Sequence, residues 1–333
     1  MVIGHRRYSG TRLIVFGALL LAGAPAMAQG KQGGYPNRPV RFIVNYPPGG
    51  PTDLTARTLA PRLLDLLGQQ FIVNNRPSAS GAIGSQMVAK ASPDGYTVML
   101  STSGQTSVIA ATRGSKLPFD PFRDFTPVSL LVKQTQLMIA HTSVGVRSVA
   151  DVVKLAKAKP KELTYASVGQ GGTGHLAFEL LSLMAGVELT HVPYKGTAAA
   201  LADLTAGRVQ LFLSSMPTVL QHVKAGKLVM LSVGTTTRNP LIPEVPTMIE
   251  AGFPGWEVLT WYGMFAPART PSGIVSRLNA VVNRALADPE VIRALTSQGA
   301  EPAGSTPEGL GKLMRDEYER WTKLVRDANL KFD

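Results

Sequence analysis

The chain has 333 residues, 44% of them hydrophobic and 17% charged, enough apolar material for two packed domains and too much for a disordered or fibrous protein. The net charge of +12 is spread without any run of five basic residues, which argues against a nucleic-acid stripe and for small anionic ligands or a nearby anionic membrane. Cysteine is absent, so neither disulfides nor thiol chemistry enter.

Residues 1–28 read as a signal peptide. Arg6, Arg7 and Arg12 make a basic start, Leu13 to Ala24 is an apolar run too short to span a bilayer, and Ala26-Met27-Ala28 is an A-x-A cleavage site. No cysteine follows that run, which excludes a lipoprotein anchor. Arg6-Arg7 hints at twin-arginine export, but Tyr8-Ser9-Gly10 lacks the apolar residues expected next. Cleavage leaves Gln29 first and removes three arginines, taking the charge from +12 to +9. The expected location is the periplasm, with the mature protein soluble.

Strand, loop and helix then alternate. Val40 to Tyr46 reads as a strand, Pro47 to Pro51 as a turn, and a helix capped by Thr52 or Asp53 runs to Leu67. Phe71 to Asn74 is a strand, Gly81 to Ala91 a helix and Tyr96 to Leu100 a strand. Apolar Phe125 to Val132 reads as a crossing to a second lobe. There the alternation restarts: strands at 137–140, 163–168, 189–194, 209–213 and 228–233, helices at 149–158, from 175, at 197–206 and at 218–225. Trp256 to Pro267 reads as the return crossing, with Trp261 and Tyr262 expected in the core. Met184, Met216 and Met230 read as core filler. Three helices finish the chain, near 272–287, 289–297 and 307–329. Asp288-Pro289 and Thr306-Pro307 supply their starts. No repeat of 20 to 50 residues is present. Such alternation predicts an α/β fold of two lobes with a cleft between them.

Three loops share one grammar, in which small flexible residues lead from a strand into a helix. They are Pro48-Gly49-Gly50-Pro51-Thr52, Ser101-Thr102-Ser103-Gly104 and Gly169 to Gly174. Each offers free backbone N–H groups and a positive helix end, the ingredients of an anion site. The third, Gly169-Gln170-Gly171-Gly172-Thr173-Gly174, is literally a G-x-G-x-x-G fingerprint. A dinucleotide site also wants an acid at the end of the next strand. His191-Val192-Pro193-Tyr194-Lys195 supplies none, although Lys195 would suit a 2′-phosphate. An exported NAD(P)-dependent oxidoreductase therefore stands only as the alternative. No G-x-S-x-G elbow and no H-E-x-x-H is present, so neither a catalytic serine nor a metal is expected. His175, beside the glycine loop, is a candidate ligand contact or cap.

Longer motifs decide between these readings. NYPPGGPTD at 45–53, NNRPSASGAIG at 74–84, SPDGYT at 92–97, LPFDPFRDFTPVSLL at 117–131, LTYASVGQGGTGHLA at 163–177, HVPYKG at 191–196, VPTMIEAGFPG at 245–255 and LADPEV at 286–291 follow in order over essentially the whole mature chain. In this it resembles the Bug family, extracytoplasmic solute receptors of tripartite tricarboxylate transporters. The resemblance implies a type II periplasmic-binding-protein fold, with lobe 1 from 36–132 and 260–333, lobe 2 from 133–259, and a two-segment hinge. It implies a monomer that is not an enzyme and carries no cofactor. Such a receptor binds a small carboxylate and delivers it to a two-subunit membrane permease; a same-fold sensory receptor is the other possibility. The ligand-binding positions it implies are Pro48, Gly49, Gly50, Thr52, Ser101, Thr102, Ser103, Gly171, Gly172, Thr173, Gly174 and His175, with Tyr194 and Lys195 near the cleft. Two departures stand out. Pro51 replaces a glycine and removes a donor. Ser214-Ser215 stand where relatives carry Asp-Asn, which makes that wall polar but uncharged and favours a plain carboxylate over an amino acid.

Overall fold

A computed structural model describes residues 34–332 apart from 79 and 80. The expected signal peptide lies outside the described residues.

The frame is built on one long strand. Strands β1 (Val40–Val44), β2 (Phe71–Asn75) and β3 (Thr97–Thr102) are parallel neighbours in the order β2-β1-β3. β4 (Phe125–His141) is 17 residues long and joins the two apolar runs read separately from sequence. Its first part pairs antiparallel with β9 (Leu259–Pro267), which closes on β3; its second part pairs antiparallel with β7 (Leu211–Ser215) and β8 (Leu228–Val233). β5 (Thr164–Ser167) and β6 (Thr190–Pro193) continue parallel beyond β7. Short β10 (Ala300–Pro302) lies on the free edge of β4. The sheet therefore has two halves, β2-β1-β3-β9-β4-β10 and β6-β5-β7-β4-β8, sharing β4. The chain crosses between the halves near Gln136 and again near Val258, where Gly234 N–H donates to Gln136 O and Val258 N–H donates to Gly234 O.

Strand alternation sorts side chains into two cores per half. Phe42 and Val44 pack with Leu59, Leu63, Leu278 and Val282, under α1 (Pro51–Leu67), α8 (Ser272–Leu286) and α9 (Pro289–Ser297). Ile43 points the other way, into Val88, Met99, Phe265 and Leu310, under α2 (Ala82–Ala89) and α10 (Pro307–Asp327). In the second half Met138 and Ala140 face α4 (Val149–Ala158) and α5 (Thr173–Ala185), whereas Leu137 and Ile139 face α6 (Thr197–Thr205) and α7 (Met216–Lys224). A further helix, α3 (Ser107–Arg113), follows β3 after a single 3-10 turn.

Local signals explain most boundaries. Asp288 and Thr306 accept backbone N–H bonds at the starts of α9 and α10, with Pro at the first helical position, as expected. The expected cap at Thr52 or Asp53 is displaced. Pro51 already sits in the helix, Gly50 is the cap residue, and no side chain caps it. Trp261 and Tyr262 are buried as expected, and so is Met216, but Met184 is 37% exposed on the outer face of α5.

Helix α10 does not stay in one half. Leu310 and Met314 belong to a core of the first, whereas Trp321 and Leu324 belong to a core of the second together with Phe178, Leu181 and Trp256.

Candidate functional site

The second and third strand-to-helix loops touch, and the residues leading into the first are tied to the second. In the first, Gly49 takes a left-handed φ of +80° that glycine adopts without strain, and its N–H donates to Asp53 Oδ2 at 2.8 Å. The buried Asp53 carboxylate also accepts from Arg57 Nε (2.9 Å) and Asn75 Nδ2 (2.9 Å). Burial alone would raise its pKa, but these bonds more than offset it and hold the carboxyl below its ordinary value. Asp53 thus tightens the turn that ends in an uncapped helix N-terminus.

The second loop is fixed to the first. Tyr46 Oη lies 3.1 Å from Thr102 Oγ1, and Gln105 Nε2 donates to Asn45 O at 3.5 Å. Ser101 and Ser103 are completely buried, yet their hydroxyls have no hydrogen-bond partner among the described residues; nor do Gln105 Oε1 and Asn45 Oδ1. Unmet buried polar groups cost free energy, and their concentration on two adjoining loops marks a place where a polar ligand would supply the missing bonds. Two glycines keep the helix behind them close: a Cβ at Gly81 would sit 2.3 Å from Gln105 Nε2, and one at Gly84 2.0 Å from Asn45 Oδ1.

The third loop comes from the other half. Ser167 Oγ and Gly169 bond each other through the carbonyl (3.0 Å) and the N–H (3.2 Å), and Gly172 N–H closes on Gly169 O at 3.3 Å. α5 then starts at Thr173, again with a glycine cap and no side-chain cap bond. Thr173 Oγ1 lies 3.3 Å from the point where a Cβ on Gly104 would stand, so the loops of the two halves touch there.

Other expected residues fall differently. His175 is buried and turned behind the glycine loop, where its Nδ1 accepts from Gly171 N–H at 3.0 Å. Tyr194 donates its hydroxyl to Asp203 at 2.9 Å and packs against the β7 side of its own half; Lys195 beside it is exposed. Ser214 and Ser215 are buried at the end of β7, beside Leu137 and Gln136 of the crossing, with Ser215 Oγ 2.9 Å from Thr218 Oγ1. Sequence reading missed Asn45, Tyr46, Gln105, and the Tyr262–Gln134 hydrogen bond in the crossing, where Gln134 is 3% exposed and its Nε2 has no partner among the described residues. An apolar cavity of about 600 Å³ lies elsewhere, between α7 and α9, lined by Met216, Leu220, Leu241 and Ile292 among others. Its lining is mostly apolar, with Arg293, Thr296 and Ser297 of α9 as its polar side.

The fold has counterparts in known proteins. Residues 55–330 match the model of the tripartite tricarboxylate transporter family receptor. The chain belongs to this receptor family. It is 35% identical to Protein BugT of Bordetella pertussis over 321 residues, covering 96% of this chain and 98% of that one. The solved structure of R. palustris Rpa4515 with adipate is 38% identical, with a TM-score of 0.81 over 89% of this chain and 99% of that one. MatC from Rhodopseudomonas palustris with bound malate is 33% identical, with a TM-score of 0.77 over 87% and 100%. The two α/β halves on β4 agree with the fold of these receptors, and β6 runs into Tyr194 and Lys195, so no acid stands at the end of the strand that follows the glycine loop. Among the described residues no helix is long and apolar enough to cross a membrane.

Proposed function

We propose that this receptor captures a small organic carboxylate between its two lobes in the periplasm and hands it to a two-subunit membrane permease, as a monomer and without catalysing a reaction. The lobes would comprise 36–132 with 260–333, and 133–259, with α10 bridging them. One observation carries the reading: Ser101 and Ser103 hold buried hydroxyls with no partner among the described residues, on a loop that touches Thr173 of the opposite half. The carboxylate is assigned to the backbone N–H groups of Gly50 and Thr52, the hydroxyls of Ser101 to Ser103, and Thr173 and Gly174, with Ser214 and Ser215 as a neutral wall; the N–H groups of Gly49, Gly171 and Gly172 are already given to Asp53, His175 and Gly169. His175 and Tyr194 are engaged within their own half and are left out of the ligand shell.

The only buried acid of the first loop, Asp53, is already held by Arg57, and the other buried polar groups there are uncharged. Neutral donors and two helix N-termini then neutralise the ligand. The bound adipate and malate of the two relatives suggest a dicarboxylate. Capture requires that the closed form bind better than the open one; equal affinity for both would move nothing.

A thermal-shift screen of the mature protein from Gln29, refolded to strip bound solute, tests this against adipate, malate, citrate, nicotinate, glutamate, NAD and NADP. A carboxylate at a hundred times its Kd stabilises by about 2.7 kcal/mol, a shift of several degrees. Stabilisation by NAD or NADP alone would overturn the reading. Ser103→Ala and Thr173→Ala should each weaken the carboxylate by roughly 1 kcal/mol per lost bond. Wild-type affinity in both would move the site elsewhere.

A further inference from the structure

Behind the glycine loop lies a buried cluster with no part in holding the ligand directly. The rings of His175 and His191 stack with centroids 3.8 Å apart and planes 15° from parallel. His191 Nε2 is 2.7 Å from Ser167 Oγ, the hydroxyl that holds Gly169. Tyr165 donates to Glu179 Oε1 at 2.6 Å, and the same oxygen lies 3.6 Å from His175 Nε2. Phe332, at the end of the chain, sets its ring edge-on to His175 at 5.5 Å, and Lys116 Nζ holds the Phe332 carbonyl at 3.2 Å. The groups facing His175 are therefore Glu179 from its own helix, Tyr165 from β5, His191 from β6, and Phe332, with the Lys116 ammonium on the Phe332 carbonyl.

The hydrogen bond from Gly171 fixes the chemistry. A backbone N–H only donates, so Nδ1 of His175 must carry a lone pair, and the single proton of the neutral ring sits on Nε2, toward Glu179. Gly171 itself has little room: at φ +72°, its Cβ position would lie 3.1 Å from Thr112 Oγ1 and 3.3 Å from Phe332 Cδ1. A second proton on His175 would set two donors head to head, and the ring or Gly171 would have to move. Gly172 and Thr173 follow directly in the chain, so they would move with it. Burial, then the neighbouring His175, pushes His191 down to about 4, so His191 stays neutral well below the ordinary histidine value. Burial would raise Glu179, but the facing His175 and the Tyr165 hydroxyl more than offset it, and it stays an anion beside Nε2.

We infer that His175 is a positioning residue: in its Nε2–H tautomer it fixes the glycine loop from behind, and a second proton on it releases the loop and lowers ligand affinity. This rests on the carboxylate reading only for its affinity arm. The test begins without ligand, with histidine-ring ¹⁵N spectra of the mature protein titrated with acid. The expected result is the Nε2–H tautomer of His175 at pH 8, with the Gly171 amide shifting at the same midpoint as the His175 ring. An Nδ1–H tautomer, or a Gly171 amide unmoved through that titration, overturns the proposal even if no carboxylate binds. The affinity arm uses adipate or malate, whichever stabilises the protein. His175→Asn places an amide oxygen near Nδ1 and cannot titrate, so it should bind like wild type at pH 8 and lose the extra acid sensitivity. The ligand's own protonation is common to both proteins. His175→Leu should bind about tenfold more weakly at pH 8 and show no His175-linked pH dependence. Wild-type binding by His175→Leu, or a wild-type pH profile in His175→Asn, would leave His175 a packing residue only. Failure of every carboxylate to bind, with the ring spectra as expected, would count against the function and not against the loop anchor.

Discussion

Truncating Trp321 to alanine is expected to lower the unfolding free energy by about 3–5 kcal/mol, the usual cost of removing a fully buried tryptophan. Trp321 is completely buried, and it sits where α10 has left the core of Leu310 and Met314 and entered that of Phe178, Leu181 and Trp256. The cavity would open inside the second half, in a helix whose first turns belong to the other half. Trp321 Nε1 has no hydrogen-bond partner among the described residues, so truncation also removes an unmet buried donor, which puts the cost toward the lower end. At roughly 1.5–2 °C per kcal/mol for a chain of about 300 residues, the midpoint should drop by about 5 °C or more. Glu319→Ala, at an exposed position on the same helix, should change stability by no more than about 0.5 kcal/mol. The measurement is calorimetric melting of the three mature proteins. A Trp321→Ala midpoint within a degree or two of wild type would mean that α10 does not weld the halves. A calorimetric enthalpy well above the van't Hoff value in the variant would show in addition that the halves then melt separately.

Much of this frame was legible in the sequence because its signals are local. The alternation of apolar runs with Gly- and Pro-rich turns marked β1, β2, β3, β5, β7 and β8 to within a few residues, and Asp288-Pro289 and Thr306-Pro307 marked two helix starts. Three loops stood out by composition alone, since Gly, Ser and Thr after a buried strand have few other uses. What stayed hidden depends on partners far away in the chain. The β4 strand was read as two pieces because Lys133, Gln134, Thr135 and Gln136 interrupt its apolar pattern; those polar residues lie where the strand passes from one half to the other. The direction of His175 was not legible either. Standing after a glycine loop, a histidine can face the ligand or the core, and the Gly171 N–H bond to Nδ1 together with the stacked His191 ring of β6 decides for the core. Asn45 and Gln105 carry no motif of their own. Their role follows from Gly81 and Gly84, whose missing side chains leave room for them, and that fit is invisible until α2 is placed. Pro51 misled the cap assignment: as a proline it suits the first helical position, which moves the cap back to Gly50 and leaves Asp53 free to hold Gly49.

Glu317→Gln is expected to stabilise the receptor in alkaline solution and to leave it unchanged in acid. Glu317 is buried on α10, one turn before Trp321, and accepts from Trp261 Nε1 at 2.9 Å. Burial pushes its pKa up to about 7, and the nearby Arg320 only partly opposes that. The folded carboxyl thus holds a proton that the unfolded chain has released above about 4.5. Its effect on stability is favourable below the unfolded value and is lost as pH rises through 4.5 toward 7, by an amount on the order of 3 kcal/mol. Glutamine cannot ionise, yet its amide oxygen still accepts from Trp261, so the variant escapes that loss. His191 acts in the opposite direction. Its folded pKa is lowered from 6.5 to about 4, so its effect weakens the fold as pH falls through that window. Wild type therefore hides both titrations behind a shallow profile, and removing Glu317's ionisation should expose the acid-side loss due to His191. Melting both proteins at pH 4.5 and pH 8 separates the two groups. The variant should melt several degrees higher at pH 8 and within a degree or so of wild type at pH 4.5. An equal difference at both pH values would show that repacking, and not the buried charge, sets the change.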